Sequence, residues 1–123
     1  MSRRGKVLWM CGAGFVLLQL LLMHSCTPPG KGPRAERGYR LAAPVIDALE
    51  RYMNDHAAYP DSLPQLVPAY LPAAALHGPE PGEPLEYHRT EGGYDLTFRY
   101  VGPGMNECTW TPMRRSWDCS GYF

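Results

Sequence analysis

The sequence has no net charge: 12 Lys and Arg balance 12 Asp and Glu. A neutral chain carries no overall field to draw in nucleic acid or an acidic membrane surface, so nucleic acid is not expected as a partner. Patterns that mark common catalytic centres are missing as well. There is no Gly-x-Ser-x-Gly, no His-Glu-x-x-His and no phosphate-binding loop. The histidines, His24, His56, His77 and His88, are scattered, and none has a second ligand at metal spacing. The expectation is a protein that is not an enzyme, with no catalytic residue, no cofactor and no resident metal. Glu107 and Asp118 could reach one calcium ion, but two carboxylates do not specify a site.

Long apolar sequence is also scarce, confined to residues 7–23, a run of 17 without a formal charge behind Arg3, Arg4 and Lys6. A basic start before an apolar run is a secretion signal or a membrane anchor. Its length is long for a signal core and at the short limit for a spanning helix, so length does not decide. Basic residues recur beyond it, as Lys31, Arg34, Arg37 and Arg40, so the positive-inside rule gives little orientation. Every reading places the remainder of the chain outside the cytoplasm, as a periplasmic domain of a bacterial envelope tethered to a membrane.

Cysteine is limited to Cys11, Cys26, Cys108 and Cys119. The last two, isolated near the end of an exported chain, are expected to form a disulfide. Under 100 residues remain once about 26 are set aside as targeting sequence, and a domain that small often needs such a staple.

Residues 27–35 begin Thr27-Pro28-Pro29-Gly30-Lys31-Gly32-Pro33, which reads as a flexible tether, with the folded part starting near Arg34. Leu41, Val45, Ile46, Leu49, Tyr52, Met53 and His56 then recur at three- and four-residue spacing, predicting an amphipathic helix over about 36–57. Pro44 implies that this helix either begins near 43 or is kinked. Ser62 and Gln65 form a capping-box pattern ahead of Leu63, Leu66, Val67, Tyr70 and Leu71, which are expected to fold back on the helix. Two strands, 85–89 and 94–101, flank Thr90-Glu91-Gly92-Gly93, with Tyr94, Leu96, Phe98 and Tyr100 on one face.

The fold class is therefore α+β: an N-terminal apolar helix, a Pro/Gly spacer, and one amphipathic helix packed on a small antiparallel sheet. The chain divides into a signal or membrane-directing segment at 1–26, a spacer at 27–35 and a folded domain at 36–123. In the tail, a hairpin with Cys108 opposite Cys119 would pair Thr109 with Asp118, Trp110 with Trp117, Thr111 with Ser116 and Pro112 with Arg115. Met113-Arg114 would be the turn, with a longer loop as fallback because that pair suits a primed turn poorly. The cystine would share a face with Trp110 and Trp117, a rigid aromatic edge available to a partner.

Three resemblances attach to these residues. Leu22-Met23-His24-Ser25-Cys26 resembles a bacterial lipobox, which would make Cys26 the lipidated residue, with His24 departing from the pattern. Gly14-Phe15, followed by Gln19 where the motif carries Glu, resembles a prepilin cleavage site. Residues 37–101 are similar to type IV pilin-like proteins, closest to the major pseudopilin of type II secretion. That similarity rests on Ala48-Leu49-Glu50-Arg51-Tyr52, Tyr59-Pro60, Ser62-Leu63, Leu66-Val67 and the Tyr-rich hairpin. It implies a pilin-like fold and a non-catalytic accessory or assembly subunit of a secretion or pilus machine, meeting other envelope proteins. The alternative is a periplasmic lipoprotein module that binds a protein or a glycan. Lipoprotein, uncleaved anchor and processed pilin all remain open.

Overall fold

The computed structural model describes residues 14–19 and 27–122. Residues 14–19 are helical, and Phe15, Val16, Leu17 and Leu18 are exposed. Cys26, Cys11 and the rest of the 1–26 segment lie outside the described residues. Among those described, no helix is long and apolar enough to cross a membrane.

The folded part opens with helix α1, Pro33–His56, longer at its start than the periodicity suggests. Pro33 supplies the reason. Its fixed φ suits the first helical position, where its missing N–H is not needed. Pro44 does not delimit the helix, which runs through it. Pro44 and Arg40 are both exposed, so the carbonyl that the proline leaves without a donor is open to water. The helix stops at Ala57, whose left-handed backbone lets its N–H bond Met53 O at 2.8 Å.

Two short 3-10 turns come next, Leu63–Leu66 and Ala73–Ala75. Leu63, Leu66 and Leu71 are buried, as expected. The capping box forms only in part. Ser62 makes no side-chain cap bond, whereas Gln65 Oε1 accepts the Asp61 N–H at 2.8 Å. A 3-10 turn is too tight and short to offer the donor pattern of a helical first turn.

The chain then forms a meander of four antiparallel strands in sequence order: β1 Glu86–Thr90, β2 Gly93–Val101, β3 Met105–Thr111 and β4 Ser116–Tyr122. Helix α1 packs on the sheet, chiefly on β2. Tyr94, Leu96, Phe98 and Tyr100 alternate toward the helix and are all buried. The molecule is thus one long helix on one face of a four-stranded sheet.

The helical stripe that makes this contact differs from the expected one. Its buried members are Ala35, Gly38, Ala42, Val45, Ala48 and Leu49. Leu41 is only half-buried, because it lies about 100° round the helix from Ala42. Met53, in the last turns, borders an open cleft beside Thr90 and Gly93. Hydrophobic periodicity weights large side chains and so misses the small ones, although close packing selects them. At Gly38 a β-carbon would fall 2.1 Å from Phe98 Cε2, so only glycine admits the ring.

Candidate functional site

The cystine forms where the register places it. Cys108 and Cys119 are directly opposite in the β3–β4 ladder, with α-carbons 4.1 Å apart and sulfurs 2.13 Å apart. Thr109 faces Asp118, Trp110 faces Trp117, and Thr111 faces Ser116, as the sequence arithmetic expects. The tight turn does not form. Pro112 and Arg115 are outside the ladder, in a four-residue loop closed by Arg115 N–H to Thr111 O at 3.0 Å. Proline cannot donate to a ladder, and Met-Arg resists the positive φ that a primed turn requires at its first centre or at both. Only Arg115, at φ 51, adopts it.

Around the cystine stands an aromatic cluster. Trp110 and Trp117 are tilted rings 5.7 Å apart on the same face. Both are half-buried and packed against the core. Trp117 meets Phe98 edge-on at 5.0 Å and Tyr39 at 5.2 Å, while Tyr39 meets Phe98 edge-on at 5.5 Å. Such offset and edge contacts are the favoured aromatic geometries. The two tryptophans therefore support the core with one side and leave the other at the surface.

Tyr39 links this cluster to the segment preceding α1. Its hydroxyl donates to Gly30 O at 2.8 Å and stands 3.3 Å from Cys119 Sγ and 3.8 Å from Cys108 Sγ. Gly30 N–H in turn donates to Tyr100 Oη at 2.8 Å. Gly30 is buried at φ 83, and a β-carbon there would lie 2.8 Å from Cys119 Sγ. Glycine is required by both conformation and space. The spacer is consequently no free tether: its Pro/Gly composition fits a turn pressed onto the cystine, with Lys31 N–H on Pro28 O at 3.2 Å. The sequence carries the signal in Tyr39 and Gly30, but nothing local connects residues so far apart.

The opposite face of the sheet is polar. Arg99 bonds Glu86 and also Glu107, the latter at 3.0 Å. Thr97 and Thr109 share a hydroxyl bond of 2.8 Å. Glu107 and Asp118 both lie on this face, but Glu107 is taken by Arg99, and Arg114 stands 3.8 Å from Asp118. Among the described residues no three His, Cys, Asp or Glu side chains group to hold a metal ion. His56 stacks on Tyr52 at 4.0 Å, and His77 Nδ1 lies 3.1 Å from Gly78 O.

Tyrosine hydroxyls tie the far end together. Tyr59 donates to Glu50 Oε1 at 3.1 Å, Tyr70 to Asp55 Oδ2 at 2.6 Å, and Tyr87 to Pro60 O at 2.6 Å. Burial raises the pKa of Tyr39, Tyr59 and Tyr94, with nearby Glu50 adding to the shift at Tyr59 and Tyr94. The bond to Asp55 raises Tyr70, and burial pushes Tyr87 up to about 12. All five hydroxyls thus keep their protons at neutral pH and are not bases, and those of Tyr39, Tyr59, Tyr70 and Tyr87 act as donors. Tyr94 Oη and Trp110 Nε1 are the two buried side-chain polar atoms with no partner of good geometry among the described residues.

Among the described residues the arrangement therefore offers a redox-capable group, the Cys108–Cys119 cystine, set among donors and aromatic rings. Compared with known proteins, the chain matches no family model, no curated protein and no solved structure.

Proposed function

We propose that this chain is a non-catalytic, membrane-tethered protein of a bacterial envelope, a pilin-like accessory or assembly subunit of a secretion or pilus machine. The observation that carries the reading is the placement of α1 on a meander sheet. The segment that leads into its N-terminus is held against the cystine through Gly30 and Tyr39. A tethered domain that contacts other envelope proteins needs this layout: a fixed attachment at one end and free surface at the other. A disulfide suits an oxidising compartment outside the cytoplasm.

A second reading, a periplasmic lipoprotein module binding a protein or glycan, is favoured by one specific feature. Residues 27–32 are not helical, and Gly32 at φ 91 caps α1. Pilins run anchor and domain as one continuous rod, whereas here the rod is broken between them. Mass spectrometry of the mature chain separates the readings. A methylated N-terminal Phe15 supports the pilin-like subunit, and a diacylated N-terminal Cys26 supports the lipoprotein. An intact Met1 supports the uncleaved anchor. A mature chain starting beyond Cys26 without lipid would sink the membrane-tethered reading.

A further inference from the structure

Residues 27–32, which follow the apolar segment in sequence, lie against one end of the domain, and that end differs in character from the rest of its surface. The strap of residues 27–32 is fixed there by Gly30, bonded to Tyr39 and Tyr100. A β-carbon on Gly121 would lie 3.0 Å from Pro29, so the strap also lies against the end of β4. Arg34 donates to Val101 O beside it. The Asn106 amide, buried, is directed to the carbonyls of Gly102, Pro103 and Gly104 and holds the β2–β3 turn in shape.

Strand register sets three large apolar side chains in one row at this end. Val101 pairs with Met105, and Met105 pairs with Tyr122, across β2, β3 and β4. They share the face turned away from α1 and are 45%, 39% and 66% exposed. The next rows on that face are polar, with Arg99, Glu107 and Ser120 and then Thr97, Thr109 and Asp118. An apolar row confined to the last register position of a polar face is a surface for something apolar. Arg34 stands beside it, donating to Val101 O with Glu80 3.8 Å away, and Lys31, exposed, belongs to the strap.

Chain length identifies the occupant. The apolar run ends at Met23 and the strap begins at Thr27, four residues on, a reach of at most about 14 Å. The strap is bonded to the domain, so a domain tethered through it cannot swing away from the bilayer or turn this end far from it. We propose that Val101, Met105 and Tyr122 seat on an anionic bilayer surface, flanked by Lys31 and Arg34. Tyrosine suits that boundary, with its ring among acyl chains and its hydroxyl among headgroups, and basic side chains pair with lipid phosphates. The proposal rests on the membrane-tethered reading above and adds how the domain stands on the membrane.

The test uses the full chain, isotope-labelled, in phosphatidylglycerol nanodiscs containing a nitroxide-headgroup lipid. Paramagnetic broadening should strike amides 14–19, 101–105 and 120–122. It should spare 57–61 and 90–92 at the far end. Combining Val101→Ser, Met105→Ser and Tyr122→Ser should restore signal at 101–105 and 120–122 while 14–19 stay broadened. These positions are exposed, and unchanged amide dispersion would verify the fold. Broadening at 14–19 with none in excess at 101–105 or 120–122 would overturn the seating and leave the tether intact. No broadening even at 14–19 would remove the tethered reading and this proposal with it.

Discussion

At its N-terminal end α1 meets the sheet through Ala35, Gly38 and Ala42, and toward its C-terminal end through Val45, Ala48 and Leu49. The first contact is made by backbone brought close to a ring, with Phe98 lying where a β-carbon on Gly38 would be. The second relies on larger apolar side chains, Leu49 with Leu63, Leu66, Leu96 and Tyr94, and on tyrosine hydroxyls bonded around them. Near the entry point a cystine and a bonded glycine fix the chain. At the far end no covalent link is present among the described residues, and burial does that task. The difference predicts opposite sensitivities: the entry end should suffer from added atoms, and the far end from removed ones.

The largest effect should come from removing atoms at the far end. Leu49 is fully buried, and Leu49→Ala should lower unfolding free energy by about 2–5 kcal/mol, through lost transfer energy and a residual cavity. Urea denaturation followed by circular dichroism measures it. A loss below about 1 kcal/mol would mean the helix end is not docked on the core.

Opening the cystine should rank next. Replacing Cys108 and Cys119 together by serine frees a loop of 11 residues' separation, about 3 kcal/mol on chain-entropy grounds. The strap should loosen with it, so Gly30 amide exchange should quicken while amides around Leu49 hold their protection. Uniform loss of protection along α1 would erase the contrast between the two ends.

How far these features were legible depends on their range. The tail register came from two cysteines and the period of a strand, because both are local and strict, and Thr109, Trp110 and Thr111 stand opposite the partners so derived. The alternation of Tyr94, Leu96, Phe98 and Tyr100 marked β2's inner face for the same reason. Gly38 was not legible, because a glycine in a helix reads as a weakness until the ring that needs its space is known. Gly30 was hidden likewise. Its Pro/Gly surroundings signal a loop, and only the cystine 89 positions further along (119 minus 30) shows where that loop lies. Ser62 misled in the other direction, matching a pattern whose helical context is absent.

Adding one carbon at the entry end should cost less than either change above and still oppose local propensity. In an exposed helix Gly→Ala gains about 1 kcal/mol. At Gly38 overpacking against Phe98 should outweigh that gain, for a net loss of about 1–2 kcal/mol. Phe98→Leu in the same chain should recover part of it, which a double-mutant cycle reads as coupling. A stabilised Gly38→Ala variant would refute the close approach.

The smallest effect should lie in the tyrosine ties of the far end. Tyr87→Phe removes the donor to Pro60 O, and Pro60 is buried, so its carbonyl loses a partner that water does not easily replace. A single neutral bond of this kind contributes about 1 kcal/mol. The same hydroxyl sets a pH dependence whose sign is fixed. Burial raises Tyr87 from 10.0 to about 12, so the folded state holds the proton more tightly than the unfolded chain does. The associated stability is fully present below pH 10 and is lost as pH rises through about 12. Urea midpoints taken across that window should fall in the parent and fall less steeply in Tyr87→Phe. Tyr59, Tyr70 and Tyr94, also raised, keep part of the slope in the variant. Parallel alkaline profiles for the two proteins would show that the Tyr87 hydroxyl is not held buried against Pro60.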